Sequence, residues 1–178
     1  MLEHRTDSAT CIGQGVTQDY AKALEWYRRA ADQGSSDGQT DLGNMYHDGH
    51  GVTQDDTEAL KWYRKAADQG LDVAQYMLGV MYHEAWGVTA DYAEAASWFR
   101  KAADHGFAEA QYNLGYAYRI GQGVPEDYVQ AYMWLTLAAA ANVEDAASER
   151  DAAASQMTAE QIDEAKKLAS SWVPKENP

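Results

Sequence analysis

Two histidines with acidic neighbours are the side chains whose types and spacing could bind a metal ion. His47 is followed by Asp48 and His50, and His83, 36 positions after His47, is followed by Glu84. Imidazole nitrogens and carboxylate oxygens are zinc ligands at about 2 Å from the ion. If the two histidines lie on successive packed helices, the helix axes are ~10 Å apart, too far for one shared ion. We therefore predict solvated polar residues at helix ends, with no metal and no cofactor.

The sequence gives little support for covalent or phosphate chemistry. Cys11 is the single cysteine, and the sequence places no histidine beside it to activate its thiol. Gly49 and Gly51 enclose one residue, but a dinucleotide fingerprint also needs a preceding strand and a third glycine. We interpret such glycines as turn residues. The prediction is that there is no catalytic residue and that the protein is not an enzyme.

The elements that position these side chains repeat every 36 residues. The pair Gly15-Val16 and the pair Ala30-Ala31 each return three more times at this spacing. A fixed period of roughly 20 to 50 residues is typical of a solenoid, in which each unit buries its apolar face against its neighbours. An extended binding surface is therefore predicted, and the helical tryptophans that recur in phase are predicted to pack. They are Trp26, Trp62, Trp98 and Trp134.

Composition and charge narrow the classes of partner. The chain has 178 residues, of which 46% are hydrophobic, and its formal net charge at pH 7 is -14. An acidic surface repels phosphate backbones and anionic lipids, and no apolar run approaches the ~20 residues that span a bilayer. We predict no nucleic-acid partner and no membrane insertion. A basic patch on a partner would be attracted, and the alternative is that the charge only favours solubility.

Each repeat has the pattern of two helices joined by a turn. In the third repeat, Leu78 and Tyr82 are spaced by four, which predicts a helix A over about Val73 to Glu84. Asp91 is suited to begin a second helix, B, and Gly106 to end it. Glycine recurs inside helix A, where it costs about 1 kcal/mol relative to alanine. We expect the missing Cβ to let helix B approach closely. These glycines are Gly43, Gly79 and Gly115.

The repeated motif is Leu-Gly-x-x-Tyr, Gly-x-Gly-Val, Asp, Ala-x-x-Trp-Tyr and Ala-Ala-x-x-Gly, as seen between Leu42 and Gly70. It resembles the Sel1-like repeat, a relative of the tetratricopeptide repeat. The resemblance implies an all-α fold, an α/α superhelix of paired antiparallel helices closed by a C-terminal capping helix. It also implies an adaptor that holds other proteins, without naming the partner.

The period also predicts the segments of the chain. Residues 1–12 lack the helix A signature and are predicted to be irregular, which leaves the first repeat partial. Thr158 and Gln161 have the spacing of a capping box, so a closing helix is expected after the array. The predicted segments are 13–34, 35–70, 71–106 and 107–142 for the repeats, 143–173 for the capping helices and 174–178 for a tail.

The side of helix A that faces away from Leu78 and Tyr82 is predicted to line a binding groove. Tyrosine and arginine are enriched at interface hot spots, although Tyr76 and Tyr112 could instead fill the contact between repeats. Trp86, in a turn, is either an exposed contact or a plug against the next loop. The predicted groove residues besides Trp86 are Thr40, Asn44, His47, Tyr76, Val80, His83, Tyr112, Tyr116 and Arg119.

The favoured function is a non-catalytic scaffold that binds a protein or peptide in this groove. One alternative is a self-associating structural protein that uses its open N-terminal repeat face. Another follows from the resemblance, because some cysteine-rich relatives are described as binding or hydrolysing β-lactams; this chain lacks their cysteine pairs and a Ser-x-x-Lys motif. The first residues lack the apolar core of a secretory signal. The chain is therefore expected in the cytoplasm, or in the periplasm if its N-terminus is truncated.

Overall fold

The computed structural model describes residues 19–176. Within this range the chain forms nine α-helices and no strand. Cys11 and the predicted irregular segment 1–12 lie outside the described residues. The helices are α1 (Tyr20–Asp32), α2 (Ser36–Asp48), α3 (Asp56–Ala67), α4 (Asp72–Glu84), α5 (Tyr92–Asp104), α6 (Ala108–Ile120), α7 (Tyr128–Ala140), α8 (Ala146–Ala154) and α9 (Ala159–Ser171).

Each helix packs mainly against its neighbours along the chain. Helix α2 packs on α3, α4 on α5 and α6 on α7, and α1, α3 and α5 each also pack on the helix that follows them. Helices α8 and α9 both pack on α7. Contacts between successive units define a helical solenoid, which confirms the predicted fold. We call α2, α4 and α6 the A helices, and α1, α3, α5 and α7 the B helices.

The B helices begin at aspartates that recur with the repeat period. Asp19, Asp55, Asp91 and Asp127 are the N-cap residues, and each side chain accepts a hydrogen bond from a backbone N–H of the first turn. These bonds satisfy amides that have no partner within the helix. The cap predicted for the third repeat is therefore confirmed, and it is present in every B helix.

The predicted close approach of helices A and B occurs at the helical glycines. A Cβ atom on Gly79 would lie 2.5 Å from ring carbons of Phe99, closer than real Cβ atoms approach other heavy atoms. The ring of Phe99 therefore occupies the space that a side chain on the A helix would need. The same contact recurs in each unit, between Gly43 and Tyr63, Gly79 and Phe99, and Gly115 and Leu135.

An arginine in each of the first three B helices, α1, α3 and α5, connects neighbouring units. Arg64 Nη2 donates a hydrogen bond of 2.6 Å to the hydroxyl of Tyr82, and its guanidinium lies 4.9 Å from the ring centroid of Trp98. Helix α3 is thus tied to both helices of the next unit by a hydrogen bond and a cation–π contact. The recurrence of this arginine is visible in the sequence, but spacing alone does not reveal which rings it meets. Its equivalents pair as Arg28 with Tyr46 and Arg100 with Tyr118.

The recurring tryptophans differ in burial. Trp98 and Trp134 are 4% and 3% exposed, each in a cluster with alanines of the preceding B helix, whereas Trp26 is 67% exposed. The prediction that Trp26 packs is therefore wrong for residues 19–176. The physical reason is that α1 is the first helix of this range, so no earlier B helix within it covers the ring.

The C-terminal end of the array is covered by α8, α9 and the residues after them. Helix α9 begins with the predicted capping box, in which the Thr158 hydroxyl accepts from the Gln161 N–H and the Gln161 amide oxygen accepts from the Thr158 N–H. Trp172 follows α9 and packs edge to face on Trp134, with ring centroids 6.1 Å apart. The last repeat unit thus has an aromatic cover that the first described helix lacks.

Residues 172–175, which we call the tail strap, run along the loop between α5 and α6. The Lys175 N–H donates to the Asp104 carbonyl at 2.8 Å, and its ammonium lies 2.7 Å from the Asp104 carboxylate. The Lys175 carbonyl accepts from His105 Nδ1 at 3.0 Å. Trp172 and Pro174 lie over Gly106. Nothing in the sequence pattern predicted these contacts.

Candidate functional site

The predicted groove residues on the A helices differ in exposure. Thr40 is 6% exposed, and its hydroxyl donates to the Ser36 carbonyl at 2.9 Å, so it lies inside the packed structure. The other eight are partly exposed. Six of these form two rows in which equivalent positions of α2, α4 and α6 follow one another. We call them the A-helix face: Asn44, Val80 and Tyr116 in one row, and His47, His83 and Arg119 in the other.

The second row carries nitrogen bases that each contact a carboxylate. Each of these nitrogens therefore has a carboxylate beside it, so the row is not a bare basic patch. Within residues 19–176 no group of three histidine, cysteine or acidic side chains is arranged to hold a metal ion. Each of the three contacts is 2.7 Å long: His47 Nδ1 to Asp56, His83 Nδ1 to Glu84, and Arg119 Nε to Glu149.

In the first row, Asn44 is held by a buried tyrosine of the adjacent B helix. The hydroxyl of Tyr63 donates a hydrogen bond of 2.7 Å to Asn44 Oδ1. Tyr63 is fully buried, and this burial raises the pKa of its hydroxyl. The side-chain carbonyl of Asn44 is thus committed to the fold, which leaves its amide NH2 for a partner.

Replacing Asn44 is expected to test this bond directly. Asn44→Ala should lower the free energy of unfolding by about 1–3 kcal/mol, because the hydroxyl of Tyr63 loses its partner in a buried setting. In a Tyr63→Phe background the same change should cost less than about 0.5 kcal/mol, since the hydroxyl is gone. Urea denaturation of the four proteins gives the cycle. Equal costs in both backgrounds would show that Asn44 contributes in another way.

Tyr76 and Tyr112, which are also partly exposed, pack on other aromatic rings. The ring of Tyr76 lies 4.9 Å from that of Phe107 and 5.9 Å from that of Phe99, and burial raises the pKa of its hydroxyl. Tyr76 thus fills the contact between units, as the packing alternative states. Tyr112 stacks on Tyr116 at 6.3 Å, and burial also raises its pKa. Its ring packs beside that of Tyr116 and against the cluster of Ala131, Leu135 and Ala153.

Trp86 packs back onto the preceding unit. Its ring centroid lies 4.7 Å from that of His47, and its side chain contacts the cluster that includes Leu78 and Met81. The side chain is therefore a plug, but it fills space beside the end of α2 and not against the next loop. It fixes the ring of His47 between Asp56 and an indole.

The A-helix face offers side-chain contacts rather than an enclosed pocket. Tyr116 is partly exposed, and the guanidinium of Arg119 lies 4.9 Å from its ring centroid. A hollow beside it, lined by His83 and Asn113 among others, holds only about 20 Å³, far below the ~300–1,000 Å³ of small-molecule sites. The face instead presents an aromatic ring, an aliphatic side chain and three nitrogen groups that each contact a carboxylate.

No helix in the described part of the chain is both long enough and apolar enough to cross a membrane.

A family model for the Sel1 repeat matches four successive stretches, residues 10–35, 36–71, 72–107 and 108–143. Each of the last three stretches contains one helix A, one turn and one helix B, so the match agrees with the observed units. No curated protein matches the chain.

Solved structures share this architecture. A Sel1 repeat protein from Oxalobacter formigenes is 41% identical, with a TM-score of 0.69 over 75% of this chain and 39% of that one. A protective antigen present in uropathogenic Escherichia coli strains, which displays an SLR fold, is 33% identical, with a TM-score of 0.63 over 85% of this chain and 40% of that one. This chain thus spans about two fifths of the length of each.

A third solved structure shares the fold alone. Cysteine rich protein B of Helicobacter pylori is 24% identical, with a TM-score of 0.57 over 76% of this chain and 98% of that one. The present chain has one cysteine. The common feature is therefore the packing of helix pairs, which needs no disulfide bond.

Proposed function

The chain belongs to the Sel1 repeat family, whose members are generally protein-interaction scaffolds, and from this premise we propose that it binds a protein or peptide on the A-helix face. The observation that carries the proposal is the recurrence of partly exposed side chains at equivalent positions on three successive A helices. Because these helices are fixed by packing within and between units, the face is formed before a partner arrives, which reduces the entropy lost on binding.

The chemistry of the face defines the kind of segment it suits. Val80 and Tyr116 supply an apolar and aromatic centre. The two histidine–carboxylate contacts and the Arg119–Glu149 ion pair of the second row supply a polar rim. Interfaces combine an apolar core with a polar rim in this way, and tyrosine is a frequent hot spot. With a net charge of -14, the protein attracts partners that carry basic residues beside their apolar anchor.

Truncating the centre of the face is expected to remove binding. In capture from a lysate of the source organism, the double variant Val80→Ala, Tyr116→Ala should retain a specific partner at least about tenfold less well than the native chain, since one hot-spot residue contributes 2 kcal/mol or more. Tyr76 is left unchanged because it packs on Phe99 and Phe107. The readout is the amount of bound protein, with helicity checked by circular dichroism.

The matched control makes the same valine truncation elsewhere on the surface. The variant Val173→Ala repeats the change made at Val80, at a position that is 75% exposed. Retention by this control and loss by the variant of the A-helix face would support the proposal. Equal retention by the native chain and both variants would contradict it.

A second candidate function is self-association through the exposed side of α1. The observation that favours it is the exposure of Trp26, since its equivalents Trp98 and Trp134 are buried in clusters with alanines of the preceding B helix. If a second copy covers this ring, light scattering over a dilution series should show a dimer that Trp26→Glu converts to a monomer. The control Val173→Glu should leave the dimer intact, and a monomer at all concentrations would remove this candidate.

A further inference from the structure

A cleft of about 370 Å³ lies between the second and third units, away from the A-helix face. It is bounded by the loop that joins α3 to α4, by the side of Trp98 and by the end of α5. Lys175 of the tail strap forms part of its rim. The other lining residues are Ala67, Asp68, Gly70, Gln75, Lys101, Asp104 and His105.

This cleft is the counterpart, one unit earlier, of the groove that the tail strap fills. Three residues of the filled groove lie 36 positions after residues that line the cleft. In the filled groove, Trp172 packs on Trp134, Trp172 and Pro174 lie over a loop glycine, and Lys175 pairs with an aspartate. The matching positions are Gly70 with Gly106, Trp98 with Trp134, and Asp68 with Asp104.

A buried acceptor in the cleft has no donor. Gln75 is 4% exposed, and within the described residues its Oε1 makes no hydrogen bond. In the preceding unit the equivalent Gln39 Oε1 accepts from Gln69 at 2.7 Å. The residue equivalent to Gln69 is His105, whose ring instead donates to the Lys175 carbonyl. His105 is thus bonded to the tail strap and does not donate to Gln75. A buried side-chain carbonyl without a donor favours a ligand that donates a hydrogen bond to it.

We propose that the cleft binds an extended segment of a partner protein in which an aromatic residue is followed, three positions later, by a lysine. The spacing is that of Trp172 and Lys175 in the chain's own strap. The aromatic side chain lies beside Trp98 over the loop glycine, the lysine pairs with Asp68, and an N–H of the segment reaches Gln75 Oε1.

The occupant is a different chain because this chain's own strap is already bound. A tethered segment has a high effective concentration at its own groove, so the strap of a second copy gains nothing by leaving it. Lys101 stands where the filled groove has Leu137, and its ammonium lies 3.5 Å from the ring centroid of Trp98. The incoming aromatic ring therefore meets a cation as well as an indole, which favours an aromatic residue over an aliphatic one.

The probe is a fluorescein-labelled peptide with the sequence of residues 170–176, titrated with the full chain and followed by fluorescence anisotropy. We expect saturable binding that Asp68→Lys weakens about tenfold or more. The same peptide with alanine in place of tryptophan should lose binding to a similar degree. The matched control is Asp32→Lys, which makes the same charge change at the equivalent position of the first unit and should alter affinity by less than about twofold.

Four results would overturn the proposal. The first is the absence of saturable binding up to about 1 mM protein, and the second is an equal loss of affinity in Asp68→Lys and Asp32→Lys. The third is a loss confined to Asp104→Lys, which would mean that the peptide only exchanges with the bound strap. The fourth is a dimer by light scattering that Asp68→Lys abolishes, since the cleft would then take the strap of a second copy.

Discussion

Gly79→Leu is expected to lower the free energy of unfolding by about 4 kcal/mol or more, which is a large fraction of the stability of an ordinary domain. The first atom of the new side chain would lie 2.5 Å from two ring carbons of Phe99. Phe99 is 4% exposed and packed in the cluster that includes Leu114 and Met133. The cluster therefore leaves no space into which the ring of Phe99 could move. The helices α4 and α5 must therefore separate, and the apolar contact between them is lost.

The measurement is urea denaturation followed by circular dichroism, with Glu84→Leu as the control. That change adds the same side chain at an exposed position of the same helix and should shift stability by less than about 0.5 kcal/mol. Gly79→Ala tests whether a smaller side chain at this position raises or lowers the free energy of unfolding. Helix propensity alone predicts a gain of about 1 kcal/mol for this change, whereas the close contact with Phe99 predicts a loss. A gain would show that the helices can move apart without cost.

Gly123→Ala is expected to be nearly as damaging, through the contact between units. Gly123 has φ of 74°, and a Cβ atom there would overlap the backbone carbonyl of Tyr92 at the start of α5. Backbone atoms cannot rotate away as a side chain can. The cost should combine about 1 kcal/mol for the left-handed conformation of an L-residue with about 1–3 kcal/mol for the overlap.

Gly121→Ala separates these two contributions. Gly121 has φ of 67°, but the nearest atom to its added Cβ would be 3.5 Å away, in Glu126. This variant should therefore lose only the conformational part, about 1 kcal/mol. The difference between the two variants, from thermal and urea unfolding, measures how tightly the turn of the fourth unit rests on α5. Equal losses of stability in the two variants would mean that the turn can move away from α5 without a cost in free energy.

The features that could be predicted from the sequence are those that repeat in phase. The helical glycines, the aspartate caps of the B helices and the helix pair itself follow from spacing, because each depends on residues within one unit. The contact of Gly79 with Phe99 is an example, since both lie in the same helix pair. The capping box of α9 was likewise predictable from Thr158 and Gln161, which are three residues apart.

The features that could not be predicted depend on which elements lie next to a unit. Trp26 has the same local sequence setting as Trp98, yet it is exposed because burial of this ring comes from an earlier B helix. The pairing of Arg64 with Tyr82 and Trp98 crosses two units, and spacing does not give such geometry. Thr40, predicted to line the groove, is instead buried, and its hydroxyl donates to the Ser36 carbonyl one turn earlier in the same helix. The spacing of residues along one face of a helix does not predict how deeply each of them is buried.

The tail strap changes how the solenoid holds together. Most contacts between units join helices that are adjacent in the chain, so a unit can open without disturbing distant ones. The strap joins Lys175 to Asp104, 71 residues away in sequence, and closes α5 to α9 into a loop whose parts must open together. The closed loop therefore opens as one cooperative folding block, whereas α1 to α4, which the strap does not cross-link, can open one unit at a time.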